Sequence, residues 1–561
     1  MMVLKTKFRA ILMTAVFLCL VCKGYSQKTD IKILQAGVKT ALEKGFPASV
    51  FLIDYLSGPF MYEGFRSSGV VVKDGFILTA GHATVIGKKY RVIFPDGKEL
   101  TANGWAKIPD LDAGVLKINE EGDWPYSEMG FTSSLKANDP CVSVAYPGSF
   151  HPKQAVIRFG HIVDVHSQNF PGMTHSTCVM EPGDSGGPLF DLLGRVIGIR
   201  STIYISEEDN FDVPIDVFRK YWNALELGGE FKQLPKAQDI PADPFVKEMV
   251  RGSEGFEKKL HPLLLESDAY AVNIKSKIVG KEQTVLATVL TVKGINGQLR
   301  NKEGLLISKS SLVGDDPMVT LKNGSIISAK ILSRDPELDL VLLQVTHSFK
   351  KGVNLFSSNL KGPDYASPGS FIFSAGVDNS RSLSVVGTQP FSLKRTNTSR
   401  VIFGASLEKT NEKIFFKSTS GPAVMAGLKP GDQLISIDDY KLTDPSEFAH
   451  VLSSREPGDT VTILSLRDNT EHTQQVILWP MQGNEGKRLS ERFAGGKSQR
   501  RDGFTNIFAH DTSLKPSECG GPVFDLQGNF LGINIARYSR TSSLTMTASD
   551  IRKFVEGVTI K

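Results

Sequence analysis

One pattern occurs twice in this chain, and it limits the fold more than any composition figure does. Gly304-Leu305-Leu306-Ile307-Ser308-Lys309-Ser310-Ser311 repeats Gly75-Phe76-Ile77-Leu78-Thr79-Ala80-Gly81-His82, in each case an apolar run ending at a small polar corner. Asp339-Leu340-Val341-Leu342-Leu343 repeats Asp112-Ala113-Gly114-Val115-Leu116. Cys519-Gly520-Gly521-Pro522-Val523-Phe524-Asp525-Leu526 repeats Ser185-Gly186-Gly187-Pro188-Leu189-Phe190-Asp191-Leu192, and Ala548-Ser549-Asp550-Ile551-Arg552-Lys553-Phe554 answers Pro214-Ile215-Asp216-Val217-Phe218-Arg219-Lys220. Short apolar runs rich in β-branched residues and bounded by Gly, Ser, Thr and Asp read as strands. Gly69-Val70-Val71-Val72 and Cys141-Val142-Ser143-Val144-Ala145-Tyr146 are of the same kind. Both halves must therefore fold alike, and both are mainly β.

The copies differ where chemistry would be carried. Gly183-Asp184-Ser185-Gly186-Gly187-Pro188 places a serine on a glycine-rich turn. Glycines allow the tight turn and let a carbonyl approach free backbone N–H groups. Ser185 is a candidate nucleophile, His82 a candidate base and Asp112 a candidate orienting acid, in the order His, Asp, Ser, each beside its own strand-like run. The N–H groups of Gly183 and Ser185 are candidate oxyanion donors, and Asp110 is the alternative acid. Alone, His82 would read as an ordinary core or surface histidine and Asp112 as a solvated turn carboxylate; their joint order gives them meaning. The turn also satisfies the loose G-x-S-x-G pattern of α/β-hydrolases, but those run Ser, acid, His and need a strand–elbow–helix context, whereas a turn and another strand follow Ser185.

With Thr79-Ala80-Gly81-His82 and Asp112-Ala113-Gly114-Val115-Leu116-Lys117 closely spaced, the first half resembles the trypsin-like serine proteases, and among them the high-temperature-requirement (HtrA/Deg) branch. The resemblance implies a chymotrypsin-like double β-barrel over residues 27–228, opened by a helix-like stretch from Thr29 to Glu43 and closed by a helix near Val217 to Leu225. It implies acyl transfer to Ser185, with His82 moving the proton and Asp112 fixing the imidazole. It also implies that Val179, six residues before Ser185, and Met180 form the specificity pocket, with Glu181 near its rim. An apolar base cannot neutralise a buried cation, so cleavage after apolar residues is expected. Asp184 departs from the Asn usual in that branch, and no Ile-Val-Gly-Gly start is present to pair with it.

In the second copy Ser311 stands where His82 was and Cys519 where Ser185 was. This half, residues 268–395 and 487–561, is expected to be a degenerate barrel without a base. His510 is the one histidine near Cys519 that could form a dyad; the plainer reading makes Cys519 a small buried apolar residue. Between the two parts, Arg400-Val401-Ile402-Phe403-Gly404-Ala405-Ser406-Leu407 and Gly421-Pro422-Ala423-Val424-Met425-Ala426-Gly427-Leu428-Lys429-Pro430-Gly431-Asp432 resemble a PDZ domain, here 396–480. That resemblance implies C-terminal peptides as ligands, with the carboxylate on Phe403, Gly404 and Ala405 and an apolar pocket of Ile402, Phe403 and Leu407. A helix from Pro445 to Leu452 would wall the groove. Residues 229–267, with Pro235, Pro241 and Pro244, read as a polar linker.

Lys5, Lys7 and Arg9 precede an apolar run from Ala10 to Val21, ended by Gly24-Tyr25-Ser26. This reads as a signal peptide over 1–26 and a secreted or periplasmic protein with no transmembrane segment once it is removed. Cys22 offers a lipid anchor as the less favoured reading. The cysteines left, Cys141, Cys178 and Cys519, are too few for a disulfide scaffold, and a Cys141–Cys178 bridge stays open. A net charge of +5 over 561 residues gives no reason to expect a nucleic-acid partner. The basic cluster of Lys487, Arg488, Arg492, Lys497, Arg500 and Arg501 reads as a solvated connector. No His/Cys/carboxylate cluster is spaced for a metal, and the implied chemistry needs no cofactor. A serine endopeptidase acting on proteins or peptides is the leading expectation. A catalytically silent peptide-binding scaffold and an esterase with the same triad are the alternatives.

Overall fold

The computed structural model describes residues 31–54, 66–150, 153–252, 268–291, 303–356, 367–376, 383–395, 401–453, 455, 458–480 and 492–558. The expected signal peptide, with Cys22, lies outside them. The chain divides into two compact units: the first holds the described residues up to 252 with 367–371 and 383–388, the second holds the rest.

The first unit opens with a helix over residues 31–45. Ile31, Leu34, Val38 and Ala41 are buried at a helical spacing, which gives one apolar stripe against the barrels. Strands Lys89–Ile93, Ser49–Asp54, Arg66–Val72, Phe76–Ala80 and Ala113–Ile118 follow one another through a sheet that Glu99–Ile108 closes by pairing with both ends. A second closed barrel runs Pro188–Phe190, Val196–Ile203, Asn210–Pro214, Thr174–Ser176, Val156–Asp164 and Pro140–Ala145. Every residue of Pro140–Ala145 is buried, which fits a run that is apolar except for Ser143. The single closing helix expected near Val217 is two short ones, Ile215–Lys220 and Trp222–Leu227, because Tyr221 leaves the helical region at φ −115°.

Residues 229–251, expected as a spacer, run back along this unit. Gly229–Glu230 adds a parallel edge to Glu99–Ile108. Asp243 receives Arg195 at 2.8 and 3.2 Å, and Met249 is buried in the core beside Cys141 and Leu189. Arg195 is largely buried and must be neutralised; Asp191 and Asp243 flank it.

The second unit repeats the theme. A closed barrel contains Ala271–Ile278, Lys281–Leu290, Gly304–Lys309, Leu340–Val345, Ile326–Asp335 and Asp315–Thr320. A second sheet orders Pro522–Asp525, Phe530–Arg537, Ser543–Thr547 and Ile507–His510, and the helix Ala548–Glu556 buries Ile551, Phe554 and Val555. The inserted module has its own five-stranded sheet, Ala405–Thr410, Lys413–Thr419, Gln433–Ile437, Thr460–Arg467 and Thr470–Ile477, and its own core around Phe416, Ile437 and Val461. Its second helix is Glu447–Ser453, two residues later than expected, because Asp444 accepts the Ser446 N–H at 2.8 Å and holds a turn before the helix. The protein is mainly β, as the repeated strand patterns required.

Candidate active site

His82 lies on a single turn, Gly81–Ala83, directly after the buried strand Phe76–Ala80. Asp112 follows the turn Pro109–Leu111 in the left-handed region, at φ 51°, which carboxylate side chains tolerate better than most. That kink aims both its backbone and its side chain at His82. Gly81 N–H donates to the Asp112 carbonyl at 2.7 Å, His82 N–H donates to Asp112 Oδ1 at 2.7 Å, and His82 Nδ1 lies 3.0 Å from each carboxylate oxygen. Asp110 is exposed; the carboxylate on the imidazole is that of Asp112.

Ser201, which the sequence reading did not single out, donates its hydroxyl to Asp112 Oδ2. The repeat held the signal: Gly186 N–H meets Arg200 O as Gly520 N–H meets Asn534 O, so Ser201 has Ile535 as its counterpart beside the altered residues. Burial pushes the Asp112 carboxyl up, but hydrogen bonds from His82 and Ser201 outweigh it and hold the group below its usual value. The Asp112 hydrogen bond raises His82 above its ordinary 6.5, against the opposing effect of burial.

Ser185 is half-buried on the turn between Gly183 and Gly187. A Cβ on Gly186 would lie 2.0 Å from Thr79 Oγ1 and 3.0 Å from Ala80 N, so the turn packs against the residues leading into His82. Gly148 N–H donates to Pro182 O at 2.7 Å, and Gly187 N–H donates to Asp184 O at 2.8 Å. In a trans peptide the N–H opposes the C=O, so the N–H groups of Gly183 and Ser185 both point away from those partners. Neither has an acceptor among the described residues. Ser68 holds the turn from behind, its hydroxyl on Gly183 O and its N–H on Ser185 O, each at 2.9 Å. Gly183 has φ 103°, which only glycine adopts without strain.

Val179 is half-buried and Met180 buried, its N–H on Asn210 Oδ1 at 2.8 Å. Beneath them lies an unforeseen pair of charges. Arg200 and Asp212, both fully buried, approach to 3.0 Å, and Arg200 also donates to Cys178 O. Glu181, expected near the rim, is instead buried and accepts Ser149 N–H at 3.1 Å. Cys141 and Cys178 are free thiols with sulfurs 3.8 Å apart, well beyond an S–S bond.

The second unit keeps the backbone of this arrangement and changes its chemistry. Ser310 N–H donates to Asp339 O at 2.8 Å and Ser311 N–H to Asp339 Oδ1 at 2.6 Å, with Asp339 again left-handed at φ 57°. With Ser311 in place of a histidine, Lys309 Nζ pairs with Asp339 and donates to Arg500 O at 3.0 Å, while Arg500 Nε lies 3.6 Å from Asp339 Oδ2. Arg500, expected to be solvated, is 2% exposed. A buried carboxylate with no histidine beside it needs another cation, and Lys309 and Arg500 both approach Asp339. Burial raises Asp339, but Lys309 and Arg500 outweigh it and hold the carboxyl low. Cys519 is wholly buried, 3.6 Å from Ser498 Oγ and packed in the apolar cluster of Val285, Leu306 and Val341, and burial pushes its thiol up. His510 Nδ1 lies 2.8 Å from Thr512 Oγ1, and burial brings its pKa down to about 3. His510 and Cys519 thus have separate partners.

In the inserted module a cavity of about 600 Å³ runs beside Ile402, Phe403, Gly404 and Ala405, with Phe448 and Leu452 of the helix opposite. Leu407, expected in this pocket, packs against the module's core instead, because the strand bulges between Ser406 and Leu407.

Residues 67–199 match the family model of the Trypsin-like peptidase domain, and residues 403–478 match that of the PDZ domain. The chain carries a trypsin-like peptidase domain and a PDZ domain. A protein of Hahella chejuensis described as "Probable periplasmic serine endoprotease DegP-like" is 33% identical over 181 residues, 31% of this chain and 38% of that relative. One of Pseudomonas fluorescens with the same description is 24% identical over 409 residues, 72% of this chain and 76% of its own. The match thus spans little over a third of the Hahella relative's length. A solved structure titled "HtrA-type protease AlgW with tripeptide" aligns with 79% of this chain and 96% of its own at 15% identity; its TM-score of 0.28 is too low to bear on the argument. Among the described residues no helix is long and apolar enough to cross a membrane, and no group of three or more His, Cys, Asp or Glu side chains could hold a metal ion.

Proposed function

We propose that the peptidase domain is a serine endopeptidase of the cell envelope that cuts proteins or peptides through an acyl-enzyme on Ser185. The observation that carries this reading is the bonded set of His82, Asp112 and Ser201, with the Ser185 turn packed on the strand that leads into His82 and its two N–H groups without an acceptor among the described residues. Ser185 attacks the scissile carbonyl as His82 takes its proton. Asp112 fixes the tautomer and stabilises the imidazolium, and the N–H groups of Gly183 and Ser185 receive the oxyanion. His82 then protonates the leaving amine, and water repeats the sequence to release the acid. Val179 and Met180 favour apolar residues before the cut.

The envelope location rests on the basic and apolar N-terminal stretch and on the periplasmic descriptions of the relatives. The second barrel is catalytically silent in this reading, because Ser311 supplies no base and Cys519 is buried, and its PDZ module takes C-terminal peptides to regulate the peptidase.

A fluorophosphonate probe should label the wild type and not Ser185→Ala, and the wild type should degrade an unfolded protein with cuts after apolar residues. Ser185→Ala, His82→Ala and the double variant should be equally inactive, since the two side chains act as a unit. Absence of labelling would make the chain a silent scaffold; labelling without proteolysis but with ester turnover would make it an esterase. A C-terminal peptide that binds without changing turnover of a small chromogenic substrate would leave the PDZ module a tether.

A further inference from the structure

We infer that Arg158 is an internal cation that holds the Ser185 turn in its oxyanion-binding shape. This rests on the peptidase reading above. Asp184 immediately precedes Ser185, and its carboxylate is turned inward, 1% exposed. A carboxylate so placed needs a cation, and Arg158, also 1% exposed, supplies one: Nη1 to Oδ2 at 2.7 Å and Nη2 to Oδ1 at 3.2 Å. Paired guanidinium donors fix the orientation of a carboxylate as well as its charge.

The fixed carboxylate then shapes the turn. Asp184 Oδ2 accepts Glu181 N–H at 2.8 Å, while Asp184 N–H donates back to Glu181 O at 3.1 Å. These two bonds close a loop over 181–184 that contains Gly183 and sets the directions of the Gly183 and Ser185 N–H groups. Arg158 can impose this because it belongs to a rigid element, the strand Val156–Asp164, where it pairs opposite Ser143 of Pro140–Ala145. Without Arg158 the buried carboxylate loses its counter-cation, and as an anion it moves toward solvent and takes the turn with it.

The role is one of positioning, and transition-state binding reports it more directly than folding does. Arg158→Met should lower kcat by about 100–1,000-fold, the loss typical of one oxyanion donor, and leave KM within a fewfold. Affinity for a peptide boronate should fall in parallel, while substrate binding in a Ser185→Ala background stays unchanged. Arg158→Met with Asp184→Asn should recover kcat to within about tenfold of wild type, because a neutral amide can keep the Glu181 bond without a cation.

If Arg158→Met alone does not fold, the double variant decides: folded and active supports the inference, folded and inactive overturns it. Arg158→Met within threefold of wild type also overturns it. A wild type inactive in every form refutes the peptidase reading and, with it, this inference.

Discussion

Removing Lys309 and removing Asp339 should have unequal costs. In Lys309→Met, Asp339 keeps Arg500 Nε at 3.6 Å, the Ser311 N–H at 2.6 Å and the Ser311 hydroxyl at 3.0 Å. Two unit charges at that Arg500 separation attract by about 4–5 kcal/mol at an effective dielectric constant of about 20. Breaking a buried pair by deleting one partner costs about 3–5 kcal/mol when the other is left alone. Here a second cation remains, so Lys309→Met should cost about 1–3 kcal/mol. Asp339→Asn removes the carboxylate that both buried cations approach, and should cost at least the full 3–5 kcal/mol. Native-state hydrogen exchange resolved on the strands Gly304–Lys309 and Leu340–Val345 measures the opening free energy in the intact chain. The pH dependence has a definite sign. Asp339 is lowered in the fold, so its contribution is present above the ordinary carboxylate range and disappears as pH falls through the lower folded value. Equal costs for the two variants, or losses below about 1 kcal/mol for both, would refute the idea that paired cations replaced the histidine.

In the peptidase domain His82 must be neutral to act and is raised by Asp112, so kcat/KM should rise with pH to a midpoint above 6.5. Asp112→Asn should move that midpoint down and cut kcat by about 10⁴-fold; an unmoved midpoint in a pH–rate profile would contradict the assignment. Gly404, at φ 84°, has Ser420 O 2.1 Å from where a Cβ would lie. Gly404→Val should destabilise the PDZ module by about 1–3 kcal/mol and abolish C-terminal peptide binding measured by fluorescence anisotropy; binding within twofold of wild type would show that this loop does not receive the carboxylate.

Strands such as Gly304–Lys309, Leu340–Val345 and Pro140–Ala145 are legible because each is a local, largely apolar run, and His82 and Asp112 are legible because each borders such a run. What escaped depends on barrel closure. Ser201 reaches Asp112 from 89 residues away, and Arg158 reaches Asp184 across a strand pairing that no local pattern announces. Arg500 looked like one more charge in a basic stretch, and only the vacancy beside Asp339 explains why it is buried. Leu407 was misplaced for a smaller reason: one bulge reverses which face a strand residue presents.

The cations beside Asp339 also limit what a single substitution can do. A histidine placed at Ser311 would stand beside a carboxylate that Lys309 and Arg500 already neutralise, and a serine placed at Cys519 would lie in apolar packing next to Ser498. Neither change alone gives this barrel both a base and an accessible nucleophile, and each disturbs a packed core. The pair of cations therefore works as a lock: only concerted changes at Lys309, Arg500, Ser311 and Cys519 would open the position to acyl transfer.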